Sequence, residues 1–323
     1  LSHEYCFFLH DQMVHMLAEY EAVRAHHVTV KFKRKAHASY FANLAGADSI
    51  EVLRALGYGD QARRVIINQI TMAMVSDCLH HIYEALRCLE KRKMIVALNL
   101  LRKPLTDNLI YLAWMAGDED DFYRTFTAAD GGLTTARLGN RRVELLQKAL
   151  DRTELASVLD AEFLHRTLFD RRAPEGLYRL FQHAVHLITA KHVEIQTVPE
   201  NFNFIFKSYA DDDIYKAIHY GLPHALLYLG HIVLALFERM EPMDPGAKTA
   251  FETRSLLGLY LVEGGENTEH ALVRLHALTK IKCPGCGAPF SVTPHNAARI
   301  VMSESYRCPK CQRVTGFPFS WLF

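Results

Sequence analysis

Residues 60–89 read DQARRVIINQITMAMVSDCLHHIYEALRCL. Apolar side chains recur there at three- and four-residue spacing, which places them on one face of a helix. Asp60 stands where a side chain can cap the first orphan amides of that helix. Working outward, the same texture fills residues 4–25, 93–115, 140–150, 175–193, 211–218, 224–239 and 249–262, with few alternating β-branched runs. Gly57-Tyr58-Gly59, Gly117-Asp118, Gly131-Gly132 and Gly264-Gly265 punctuate these stretches, because glycine reaches positive φ without strain. Residues 28–33 alternate as a strand would but have no evident pairing partner, and stay unassigned. The expectation is a mainly α protein, with a helical bundle over residues 1–278.

After His276 the texture changes to Cys-Pro turns, extra Gly and Pro, and β-rich pieces at 290–293, 300–306 and 313–319. Residues 279–323 therefore read as a small β module. A piece of this size cannot bury enough apolar surface to hold itself together and needs a staple or a partner domain. Cys283-Pro-Gly-Cys286 and Cys308-Pro-Lys-Cys311 supply one. Two residues between cysteines let a tight turn aim two sulfurs at one ion, and proline presets the turn. The pattern is close to that of zinc ribbons, with the long insert expected to form hairpin strands. Four thiolates leave no open coordination position, so the expected ion is one structural Zn2+ per chain. An iron centre in the same cage, two disulfides and a redox Cys-x-x-Cys are the alternatives. Lys280, Lys282, Arg307, Lys310 and Arg313, with Tyr306, Phe317 and Trp321, offer a margin that can follow a phosphate backbone and stack a base. The competing expectation is that these aromatics pack the module onto the bundle.

The chain carries 37 Lys and Arg against 36 Asp and Glu among 323 residues, half of them apolar. That balance excludes a chain-wide basic surface of the kind used on duplex DNA. Cys6, Cys78 and Cys88 lie singly in apolar helical patterns, the usage of a reducing compartment, so the expected location is cytoplasmic. No signal-peptide pattern is present, and residues 222–237, the most apolar stretch, are too short to cross a bilayer and read as a buried helix. Phosphate-loop, nucleophile-elbow, His-Glu-x-x-His and dinucleotide signatures are all missing.

Two polar stripes remain. Asp77, His80, His81 and Glu84 share a helix face, and Glu162 with His165 gives half of a di-iron pattern, either of which can contribute to a second metal site. Arg179, His183 and His186 share another face at i, i+4 and i+7. Arg102, followed by Asp107 and Asn108, places a charge in an apolar helix, where it requires a partner.

The segments 97–112, containing Arg102 and Asp107, and 178–186, Tyr-Arg-Leu-Phe-Gln-His-Ala-Val-His, resemble helices of the HEPN superfamily. The resemblance covers about residues 60–192. It implies a helical bundle that binds or cuts RNA without a metal, in toxin or phage-defence work, with a site completed across a homodimer. Carried onto this chain, it assigns His183 or His186 as general base and Arg179 or Arg102 as phosphate-binding cation. Arg179-x6-His186 matches the family spacing, whereas Arg102 has no histidine at the corresponding positions. The other functional expectation is a non-enzymatic protein that binds a protein or nucleic-acid partner through the zinc ribbon.

Overall fold

A computed structural model describes residues 1–44, 48–128, 133–185, 211–265, 268, 272, 281–291 and 293–316. The chain is mainly α with a small β piece near its C-terminal end, as its periodicity indicates. In order the elements are α1 (Ser2–Ala22), α2 (Lys35–Ala42), α3 (Ser49–Ala55), α4 (Gly59–Glu90), α5 (Met94–Lys103), a π turn (Pro104–Asn108), α6 (Leu109–Gly117) and α7 (Glu119–Thr127). There follow α8 (Thr135–Leu138), α9 (Arg141–Leu150), α10 (Ala161–Phe169), α11 (Leu177–Val185), α12 (Asp211–Phe237), α13 (Pro245–Glu263), α14 (Pro294–Ser303), β1 (Ser305–Arg307) and β2 (Val314–Gly316).

α12 forms the axis of the bundle, with α1 along its length and α6, α9, α10 and α11 around it. Leu222, Leu226, Leu229, Val233 and Phe237 are all buried, and so are the residues between them as far as Leu234. A helix apolar on every side is a core helix. It is the one described helix long and apolar enough to cross a membrane, and 89% of its most apolar window is buried in the protein.

The two separate stretches expected at 211–218 and 224–239 are one helix, running through Gly221 and Pro223. The penalty for an interior proline is about 3 kcal/mol, less than a few buried leucines return at roughly 1.5–3 kcal/mol each. Gly221 is needed for packing, since a Cβ there would meet Thr167 at 2.9 Å. Gly258 on α13 is tighter still, where a Cβ would run into the Tyr5 ring of α1.

The helix expected over 93–115 is interrupted by the π turn at Pro104, which has no N–H to continue the ladder. The Thr106 hydroxyl donates to the Arg102 carbonyl at 2.7 Å inside this turn. Residues 28–33 form no strand. Phe32 stacks edge-on to Tyr58 at 5.1 Å, and the Lys33 amide donates to the Tyr58 hydroxyl at 2.8 Å.

The insert between the cysteine pairs carries a ten-residue helix, which corrects the expected strand over 300–303, while Ser305 and Tyr306 are in a strand as expected. Thr293 caps α14 by accepting from the Asn296 amide at 3.2 Å, and Pro294 occupies the first helical turn. These start signals outweigh the β propensity of Ile300 and Val301. β1 and β2 pair antiparallel, Tyr306 opposite Thr315. α14 packs on α13, and Ala297, Ile300, Tyr306, Cys283 and Cys308 belong to the same apolar cluster as the helical bundle. Arg254, 5% exposed, pairs with Glu304 at 3.3 Å across that junction and lies over the Phe8 ring at 5.6 Å.

Candidate metal centre and the arginine–histidine face

Two turns of the same build bring the four cysteines together. In the first, the Gly287 amide donates to the Cys283 carbonyl at 2.9 Å and the Cys283 amide to the Ala288 carbonyl at 2.8 Å. In the second, Gln312 donates to Cys308 and Cys308 to Arg313, both at 2.9 Å. A Cβ at Gly285 would meet Arg313 Cδ at 2.9 Å, so a side chain there would displace the exposed arginine arm.

All four Sγ atoms lie within 4.8 Å of one another, and this is the one cluster of three or more convergent metal-ligating groups among the described residues. Cys283 and Cys311 sulfurs are 3.5 Å apart, and Cys286 and Cys308 sulfurs 3.7 Å apart. A tetrahedral ion with metal–sulfur bonds of about 2.3 Å sets its sulfurs roughly 3.75 Å apart. A disulfide requires about 2.05 Å, so the sulfurs are spaced for an ion and not for a bond to each other. The Gly285 amide, donating to Cys283 Sγ at 3.4 Å, holds that thiol well below its usual range, whereas at Cys311 the lowering by the Arg313 amide is outweighed by hydrogen bonding with the other cysteines and by burial, and the thiol is pushed up. Sulfurs this close cannot all ionise without a cation among them, so the donor set fits a metal ion. Cys283 and Cys308 are buried and Cys311 is exposed.

Lys282, Arg307, Lys310 and Arg313 are exposed around the cage. Tyr306 is 2% exposed and packs on Phe290 with ring centroids 5.0 Å apart, so it is a core residue and not a base-stacking platform. Lys280, Phe317 and Trp321 lie outside the described residues.

The second candidate face lies on α11. Arg179 Nη1 donates to the Pro174 carbonyl at 3.2 Å. One turn on, His183 is half-buried, and its Nδ1 is shielded from solvent without a hydrogen-bond partner. Burial, and then the neighbouring Arg179 charge, lower its pKa, leaving the imidazole neutral near pH 7. Arg179, Lys216, Tyr220, Glu175 and Asp213 line an open groove of about 850 Å³ between α11 and α12. His186 lies outside the described residues.

Arg102 is exposed at the end of α5, which corrects the expectation of a buried charge seeking a partner. α5 does pack against α11, with Asn99 Nδ2 donating to the Ala184 carbonyl at 3.3 Å. The polar knot beside Arg102 is centred on Asp77, whose carboxylate accepts from Lys103 Nζ at 2.8 Å and Asn108 Nδ2 at 2.6 Å. Burial raises the Asp77 pKa, but those two hydrogen bonds outweigh it and the net shift is downward. Asp77 is thus engaged, His81 Nδ1 bonds the Asp77 carbonyl at 2.8 Å, and His80 and Glu84 are exposed, so the stripe gathers no cage.

A polar cleft of about 900 Å³ was not legible in the sequence. At its floor Glu119, 11% exposed, accepts from Arg63 at 3.0 Å, from Arg64 at 2.8 Å and from Arg239 at 3.5 Å. Arg239 also donates to the Met115 carbonyl at 2.7 Å and to that of Ala116, satisfying the end of α6. The acidic run 118–121 beside Gly117 was the available signal, but the partners of Glu119 lie 55 to 120 residues away.

Comparison with known proteins returned no match to this chain, neither a family model, nor a curated protein, nor a solved structure.

Proposed function

We propose that the protein is a cytoplasmic, HEPN-like RNA-binding protein that cuts RNA without a catalytic metal, with a structural zinc ion in its cysteine cage. The observation that carries this reading is Arg179 at a groove that also presents Lys216 and Tyr220, one turn of helix from the neutral His183 imidazole. Arg179 and Lys216 suit phosphate oxygens, and the Tyr220 ring, 47% exposed, suits a stacked base. A neutral imidazole can take the proton of a ribose 2′-hydroxyl. The resulting oxygen attacks the adjacent phosphorus, the 5′-oxygen leaves with the P–O bond pair and takes a proton from water, and a 2′,3′-cyclic phosphate remains. The arginine offsets the charge that builds on the phosphate. His186 is the other candidate base and Arg102 the other cation, with a homodimer completing the site. Toxin or phage-defence work would use such an activity.

Zinc fits the cage better than iron for a purely structural task, because it is redox-inert and accepts four thiolates in a closed tetrahedron. Lys282, Arg307, Lys310 and Arg313 then give the ribbon a phosphate-following edge.

A second reading is favoured by the burial of Tyr306, which leaves the described part of the ribbon without an exposed stacking ring. In it the protein contacts a protein or nucleic-acid partner and performs no chemistry.

Incubating the purified chain with single-stranded RNA decides between them. The catalytic reading expects cyclic-phosphate products, lost in His183→Ala/His186→Ala while RNA retention persists. Retention without product, unchanged by those substitutions, supports the second reading. Elemental analysis of protein purified without chelator should count one zinc and no iron for the cage.

A further inference from the structure

His3 on α1 and His219 on α12 face each other near the end of α4, with ring centroids 5.9 Å apart and planes at 69°. In both rings Nε2 is shielded from solvent and has no hydrogen-bond partner. A single buried nitrogen without a partner is uncommon. Two on adjacent rings mark a place where something that accepts two lone pairs belongs.

The separation suits a shared metal ion. With metal–nitrogen bonds of about 2.0–2.1 Å, two imidazoles on one ion have centroids roughly 5.2 Å apart at a tetrahedral angle and roughly 6.4 Å apart when collinear. The observed spacing falls inside that window. The protonation states agree with it, since burial lowers both histidine pKa values and leaves a lone pair free at neutral pH. The surroundings hold the rings in place. Phe7 packs edge-on to His3 at 5.1 Å, and Tyr215 lies 5.8 Å from His219 with its hydroxyl donating to the Leu89 carbonyl at 3.1 Å. The carboxylates of Glu90 and Glu4 act on the charge of His3 and favour a cation there, against the opposing charge of the N-terminal ammonium, which acts on both rings.

The geometry points to a second metal site, separate from the cysteine cage, in which His3 and His219 bind one borderline divalent ion such as Zn2+ through their Nε2 atoms. Two protein nitrogens leave coordination positions to water, so this ion exchanges readily where the caged one does not. By the usual order of divalent affinities, Ni2+ competes for the site and Cu2+ binds it most tightly.

Equilibrium dialysis of the full chain against buffered free Zn2+, with elemental counting, tests the assignment. Two ions per chain are expected, falling to one in His3→Ala/His219→Ala. A single ion in the unaltered chain, or a second ion retained by the double variant, overturns it. A readout that needs no variant is labelling with diethyl pyrocarbonate followed by mass spectrometry. Zn2+ should suppress modification of His3 and His219 several-fold, and equal labelling with and without Zn2+ overturns the site.

Discussion

Gln312, at φ 63°, occupies in the second cysteine turn the position that Gly287, at φ 67°, occupies in the first. Each donates its amide to the carbonyl of the leading cysteine four residues back. Only glycine adopts this left-handed backbone without a steric cost, which for other residues is about 1–2 kcal/mol.

The two positions should therefore respond in opposite directions. Gly287→Ala should lower stability by roughly 1–2 kcal/mol. Gln312→Gly should raise it by about 0.5–1 kcal/mol, after losing the side-chain bond to the Pro309 carbonyl and adding freedom to the unfolded chain. Thermal melts of the metal-loaded protein check both, and shifts of the same sign would show that the turns are not equivalent.

Glu119 should be the least replaceable surface-cleft residue. Glu119→Gln leaves three guanidiniums without their shared counter-charge, and their side chains are only 26%, 36% and 30% exposed. The expected loss is roughly 2–4 kcal/mol, somewhat less than for a fully buried pair. Urea unfolding measures it. A loss under about 0.5 kcal/mol would be that of an ordinary surface pair.

Acid lability should trace to His231. It is fully buried on α12, its Nε2 is 3.0 Å from the Ser255 hydroxyl, and burial lowers its pKa to about 3. The neutral form is the one that folds. As pH falls below the ordinary histidine value of about 6.5, the unfolded chain takes up a proton that the folded chain refuses, so stability drops, by roughly 3 kcal/mol at pH 4. His231→Gln should remove that part of the decline between pH 7 and pH 4. An unchanged pH profile in the variant would place the lability elsewhere.

What the sequence disclosed depended on how local the signal was. The cysteine turns are written in runs of four residues with proline at the second position, and their spacing alone assembles the cage. The helix at 60–89 follows from one periodicity. Thr293-Pro294 announces α14, but the β-branched Ile300 and Val301 further on point the other way. The continuity of α12 through Pro223 is set by burial, which depends on neighbours distant in the chain. Arg63 and Glu119 are 56 residues apart, and no pattern within either segment names the other. The α11 face was legible as a stripe, while the groove beside it exists only because α12 returns to lie alongside.

The junction of α13 and α14 has a consequence for how much of this protein a cell retains. Cys283 and Cys308 share one apolar cluster with the bundle, so an ion bound between them adds its binding free energy to the folded state of more than the tail. When free metal is scarce, that contribution shrinks and a larger fraction of chains opens to proteolysis. The steady-state abundance of the protein would then report the metal supply of its compartment, with no dedicated sensor required.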